Sequence, residues 1–107
     1  MLDAEYLSLV TVDVDPKVED AFNRWYNDVH VGEVLDCPGW LSGARYVAVE
    51  GSPKYLALYE IDDEKAMWTP ELRAIKGFGE FWGDLEAYRS TVYRRIHAQT
   101  AAERGRR

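Results

Sequence analysis

One cysteine, Cys37, and two histidines, His30 and His97, are all the thiol and imidazole the chain holds. A lone thiol closes no intramolecular disulfide, and the set is too sparse for a structural zinc site. No metal is therefore expected, and a reducing, cytoplasmic setting is the natural one. Basic residues are short as well: 13 Lys and Arg stand against 19 Asp and Glu, a net charge of -6. Such a chain has no general attraction for phosphate backbones or anionic lipid. Its basic cluster, Arg104, Arg106 and Arg107, is too small for a nucleic-acid patch and reads as a solvated end. No run of roughly 18 apolar residues occurs, so a spanning helix is not expected. Acidic Asp3 and Glu5, with no basic stretch leading into an apolar one, give no sign of a signal peptide. Glycine-rich phosphate loops and dinucleotide fingerprints are missing too. Nucleic acid, membrane and nucleotide cofactors are not expected partners.

What the sequence has is rings: four Trp, seven Tyr and three Phe among 107 residues that are 47% hydrophobic. That length supports one core and is too short for two. One domain over residues 1–97, followed by a C-terminal tail over 98–107, is the expected organisation.

Residues 5–14 alternate, with Leu7, Leu9 and Thr11 on one face and Tyr6, Ser8, Val10 and Val12 on the other. Both faces avoid charge, so this strand expects cover on both sides. Asp15-Pro16 supplies a capping residue and a proline at the first helical position, and predicts a helix starting there. Val18, Phe22, Trp25 and Val29 form its apolar stripe, which reaches His30 and extends toward Leu35. Cys37-Pro38-Gly39 ends it. Residues 41–49 and 55–61 read as two strands of a hairpin, parted by Glu50-Gly51-Ser52-Pro53. Asp62-Asp63 and Thr69-Pro70-Glu71 open short helices, and Gly77 and Gly79 interrupt the pattern. A further helical turn fits 80–85, and 88–96 alternates as the last strand. Strand, helix, strand, strand, helix, strand predicts an α+β, ferredoxin-like βαββαβ domain with both helical regions on one face of a four-stranded antiparallel sheet. The other face is apolar and predicts burial against a second copy, hence a homodimer.

The run Phe22-Asn23-Arg24-Trp25-Tyr26-Asn27-Asp28-Val29-His30, then Glu33-Val34-Leu35 and Cys37-Pro38-Gly39, resembles the helix-to-strand signature of the EthD-like dimeric α+β barrel proteins. Tyr55-Leu56-Ala57-Leu58-Tyr59-Glu60 and Thr69-Pro70-Glu71-Leu72 fit the same pattern, so the resemblance reaches to about Ile96. It implies a dimeric α+β barrel built from two sheets. It implies no single reaction, because such folds support cyclisation, isomerisation, cofactor-free oxygenation and haem degradation. Haem-degrading relatives carry an asparagine on the first strand and a histidine in the second helical region, and this chain has neither.

His30 is the foremost chemical candidate, an imidazole that titrates near neutrality at the end of a helix. A histidine there also serves to cap the last carbonyls. Glu33, three residues on, is placed to orient it, and Tyr26, four residues back, to donate to a substrate oxygen, although both positions also suit surface or packing roles. Trp25, Trp68, Phe78 and Trp82 are the candidates for contact with a flat apolar ligand. Cys37 has no activating neighbour in sequence and reads as inert. Three functions fit. The first is a cofactor-independent isomerase, lyase or cyclase acting on an apolar, cyclic or aromatic oxygenated metabolite. The second is a cofactor-free monooxygenase of phenolic or polyketide-like substrates. The third is a non-catalytic dimeric ligand-binding protein.

Overall fold

The computed structural model describes residues 3–105. Four strands, β1 (Tyr6–Val14), β2 (Trp40–Val47), β3 (Tyr55–Ile61) and β4 (Leu85–Arg94), form one sheet in the order β2-β3-β1-β4. All three pairings are antiparallel. This is the ferredoxin-like α+β arrangement. The alternation in β1 does what it predicts: Ser8 and Val12 are buried under the helices, while Leu7 and Leu9 on the opposite face are half-buried.

The first crossover is helical from 19 to 35, as α1 (Glu19–Trp25), a π-helical turn (Tyr26–His30) and α2 (Val31–Leu35). It begins later than Asp15-Pro16 suggests. Asp15 Oδ1 accepts from the Lys17 N–H at 2.9 Å, and the Asp15 carbonyl accepts from the Val18 N–H at 3.0 Å. That local side-chain bond closes residues 15–18 as a turn ahead of the helix proper. The second crossover has no long helix. It consists of a 3₁₀ turn (Glu64–Trp68), the single-turn α3 (Pro70–Ala74) and another 3₁₀ turn (Gly79–Asp84). Asp63 Oδ1 and Thr69 Oγ1 cap the first two by accepting from the Lys65 and Leu72 N–H groups. Gly77 and Gly79 then take left-handed φ values of 56° and 53°, which stops further helix.

Two bulges aim side chains inward. On β4, Arg89 pairs with Thr11 and Glu86 with Asp13, so one extra residue sits between them, and Ala87 has φ 54°. Leu85 packs on the core and Tyr88, three residues later, faces the same side. On β2 the register shifts between Trp40 and Ser42. Trp40 is thereby buried, its Nε1–H donating to the Ala66 carbonyl at 3.0 Å, while Leu41 stays exposed.

The core lies between the helical layer and one sheet face. Phe22 is fully buried and meets Trp25, Tyr26, Phe78 and Phe81 with ring centroids 5.4–6.2 Å apart. At the other edge, Tyr55 Oη donates to Glu19, and Arg45 on β2 donates to Asn23 Oδ1 at 2.9 Å and Asn27 Oδ1 at 2.8 Å. These bonds pin the first helix across β2 and β3. The opposite sheet face presents half-buried Leu7, Leu9, Leu56 and Leu58, with a Ser42–Glu60 hydrogen bond of 2.7 Å. Deleting the ring at the centre of the core should cost most. Phe22→Ala is expected to lower unfolding free energy by about 3–5 kcal/mol, a large part of the whole for a domain of this size, as read from the urea midpoint.

Candidate functional site

The π turn decides where the chemistry sits. Within it Tyr26 and His30 are buried together, four residues apart on one flank, while Val29 turns outward at 46% exposure. Both border a cavity of about 140 Å³ between the helical layer and the sheet. Its floor is Ser8 and Val10 of β1, Tyr59 of β3, and Tyr88 and Ser90 of β4. Its roof comes from the broken second crossover, notably Met67, Leu72, Phe78 and Trp82. Gly77 fits there because a Cβ would stand 2.9 Å from the Trp82 ring.

His30 is 6% exposed and held among rings: stacked on Trp25 at 4.7 Å, with Tyr26 edge-on at 4.9 Å and Phe78 at 5.6 Å. Its Nδ1 is buried and makes no hydrogen bond. Glu33 Oε1 lies 3.5 Å away, near enough for charge to be felt but poorly aligned for a bond. Burial pushes the imidazole pKa down from its ordinary value, against the pull of the Glu33 carboxylate, and His30 is neutral at pH 7. Burial likewise pushes the phenols of Tyr26 and Tyr59 up, so both stay protonated. The two hydroxyls are close enough to perturb each other, and Tyr59 Oη is buried with no hydrogen-bond partner. Behind Tyr26, the Arg45 guanidinium lies 4.2 Å from the ring centroid. A neutral base and two phenolic donors therefore share one largely apolar space.

No protein-family model matches the sequence, and no curated protein does either. Solved structures do. An ethyl tert-butyl ether D (EthD) family protein from Bacillus halodurans is 18% identical with a TM-score of 0.62, over 85% of this chain and 99% of that one. A monooxygenase from the gene ActVA-Orf6 of Streptomyces coelicolor, in complex with nanaomycin D, is 14% identical with a TM-score of 0.67, over 91% and 92%. SnoaB, a cofactor-independent oxygenase from Streptomyces nogalater, seen in a mutant form, is 12% identical with a TM-score of 0.67, over 89% and 97%. The chain shares the ferredoxin-like α+β fold of these proteins. At such identities the likeness is one of fold, and any reaction has to be argued from the cavity.

Of the residues expected at a site, His30, Tyr26, Phe78 and Trp82 border this cavity and three do not. Trp25, one position before Tyr26, turns away and packs on the outer face of the imidazole and on Phe81. Glu33 is 46% exposed and shares with Trp25 a shallow depression on the outer side of the Ile75–Gly77 wall. Trp68 is 68% exposed because Ala66 and Met67, the residues before it in the 3₁₀ turn, take the inward positions. It lines a separate groove beside Val92 and Arg94. Cys37 is buried, and burial pushes its thiol pKa up. A larger open hollow of about 330 Å³ is bordered by Asp13, Asp15, Asp84 and Glu86. It is lined by carboxylates of one sign, with no imidazole and no aromatic ring to bind a flat apolar ligand. Among the described residues no cluster of His, Cys, Asp or Glu gathers to hold a metal ion.

Tyr59, Tyr88, Ser8 and Ser90 are cavity residues that sequence reasoning did not single out. Alternation places Tyr59 on the helix-facing side of β3, and that signal was available. Tyr88 depends on the β4 bulge and was not legible.

The direction of the His30 shift fixes a pH dependence. The unfolded imidazole takes up its proton near pH 6.5, before the buried one does, so stability is lost as pH falls below about 6.5. Glu19 and Glu60, held low by hydrogen bonds from Lys54 and Ala4 respectively, begin to lose theirs only below their ordinary value of 4.5. Between those limits the urea midpoint of the wild type should drop, and His30→Gln should flatten the slope.

Proposed function

We propose that the chain is a cofactor-independent, cytoplasmic enzyme in which neutral His30 takes a proton from an apolar, cyclic or aromatic oxygenated substrate. The observation that carries this reading is a buried imidazole, clamped between rings and bordering a largely apolar cavity beside the Tyr26 phenol. A base of that kind is ready to act without first giving up a proton. The Tyr26 hydroxyl, kept protonated by burial, donates to the substrate oxygen on which negative charge develops. Rings on both sides keep water away from the anion. His30 then returns the proton to another carbon for isomerisation, or to a leaving group or closing ring for lyase or cyclase chemistry.

A second outcome shares the same first step and is favoured by the oxygenase neighbours. An anion of a phenol or activated methylene hands its electrons to molecular oxygen. A CH₂ becomes C=O, with one oxygen atom kept in the product and the other released as water. Solvent deuterium exchange at the substrate carbon marks the first outcome, and oxygen uptake equal to product marks the second. Binding with neither would leave a non-catalytic ligand-binding protein. In either catalytic case His30→Gln is expected to lower turnover by about 100-fold or more while the fold persists. Full activity in that variant would remove His30 from the chemistry.

We also propose that two copies pair through the Leu7, Leu9, Leu56 and Leu58 face. An apolar sheet face of this kind in a small domain calls for cover. Sedimentation equilibrium should give about twice the 12.3 kDa chain mass, and Leu58→Glu should return the single-chain value. A wild-type monomer at micromolar concentration would contradict the pairing.

A further inference from the structure

Tyr59 is 3% exposed, borders the cavity and has a buried hydroxyl with no hydrogen-bond partner. Phenylalanine would pack the same space without leaving a donor unsatisfied. The ring is also fixed in place. Trp40 meets it edge-on at 5.2 Å and 81°, and Gly43 lies so close that a Cβ there would stand 2.8 Å from the ring carbons. The hydroxyl is thus aimed by packing from β2, whereas His30 and Tyr26 reach the cavity from the helix. An unmade bond at a buried hydroxyl is a standing destabilisation that an acceptor brought by a ligand removes.

The cavity's other features narrow that acceptor. No Lys or Arg borders it, which disfavours carboxylates and phosphates. Arg45 sits behind Tyr26 instead, where its charge favours partial negative charge on an oxygen held by that phenol. A volume of about 140 Å³ is below the roughly 300–1,000 Å³ of drug-sized sites. It is close to the roughly 150 Å³ that holds one benzene ring.

We infer that Tyr59 and Tyr26 together form an oxygen anchor, two hydroxyls donating to the carbonyl or phenolate oxygen of a single six-membered ring inserted between helix and sheet. The inference rests on reading this cavity as the substrate site and names its substrate class: a monocyclic ketone or phenol, or one such ring at the end of a larger molecule. Tyr59 anchors and His30 moves the proton.

Cyclohexanone and cyclohexane are the probes, followed by quenching of Trp fluorescence and, for the ketone, by the infrared carbonyl stretch of the bound molecule. Wild-type protein should bind cyclohexanone more tightly than cyclohexane and shift its carbonyl stretch to lower frequency. In Tyr59→Phe the ketone should bind up to about tenfold more weakly, the scale of one neutral hydrogen bond. Part of the frequency shift should vanish, while cyclohexane binding, which also reports an intact cavity, stays unchanged. Tyr26→Phe should remove a further part, and His30→Gln should leave the frequency as it is. An unchanged affinity and frequency in Tyr59→Phe overturns the anchor alone. Failure of both probes to bind the wild type overturns the cavity as substrate site and the anchor with it.

Discussion

Ring packing around Phe22 is the contact on which the rest of the molecule depends. That side chain has no exposed surface and touches rings from its own helix and from the broken second crossover, Trp25 and Tyr26 on one side and Phe78 and Phe81 on the other. From Phe78 the chain of contacts continues to Trp82 and Tyr88 on the cavity rim. The second crossover has only single turns of helix, and these rings join the Trp40–Ala66 hydrogen bond and the packed Ala66, Met67, Leu72 and Ile75 in attaching it to the sheet. The same packing therefore stabilises the fold, builds the cavity roof and clamps the imidazole. Large rings suit this use because each buries much area and prefers tilted or edge-on neighbours over free sliding.

The sheet and its order were legible because alternation and hairpin punctuation are local. β3 is where the sequence places it, and the two faces of β1 divide as its residues predict. Less legible was everything that depends on an added residue. The π turn and the β4 bulge each insert one position, and the bulge sets the side to which Tyr88 faces in a way that no regular period contains. Tyr26 and His30 were still found together, since a spacing of four keeps two residues on one flank in either kind of turn. Trp25, Trp68 and Glu33 do not border the cavity, because a ring or carboxylate near a site in sequence can lie on the outer side of the wall that encloses it, although Glu33 does stand 3.5 Å from the His30 imidazole. The early helix start misread Asp15-Pro16, whose side-chain bond supports a turn as well as a cap.

Charge within the site is arranged by burial more than by ion pairs. Desolvation drives the imidazole toward its neutral form and the phenols toward theirs, leaving acceptor and donors in one largely apolar space without a formal charge among the lining residues. The nearest charges stand outside: Glu33 in the outer depression and Arg45 behind the Tyr26 ring. Such an arrangement favours a reaction in which charge is created on the substrate during proton transfer over one that begins from a charged ligand.

The central claim is that His30 is a neutral base held in a ring-lined cavity. It is tested most directly by following the ¹⁵N resonances of its imidazole in the folded protein through a pH titration. The account predicts a neutral ring at pH 7 and a midpoint below the roughly 6.5 of a free histidine. A midpoint at or above that value would show a stabilised cation, and with it a structural ion pair to Glu33 in place of a catalytic base.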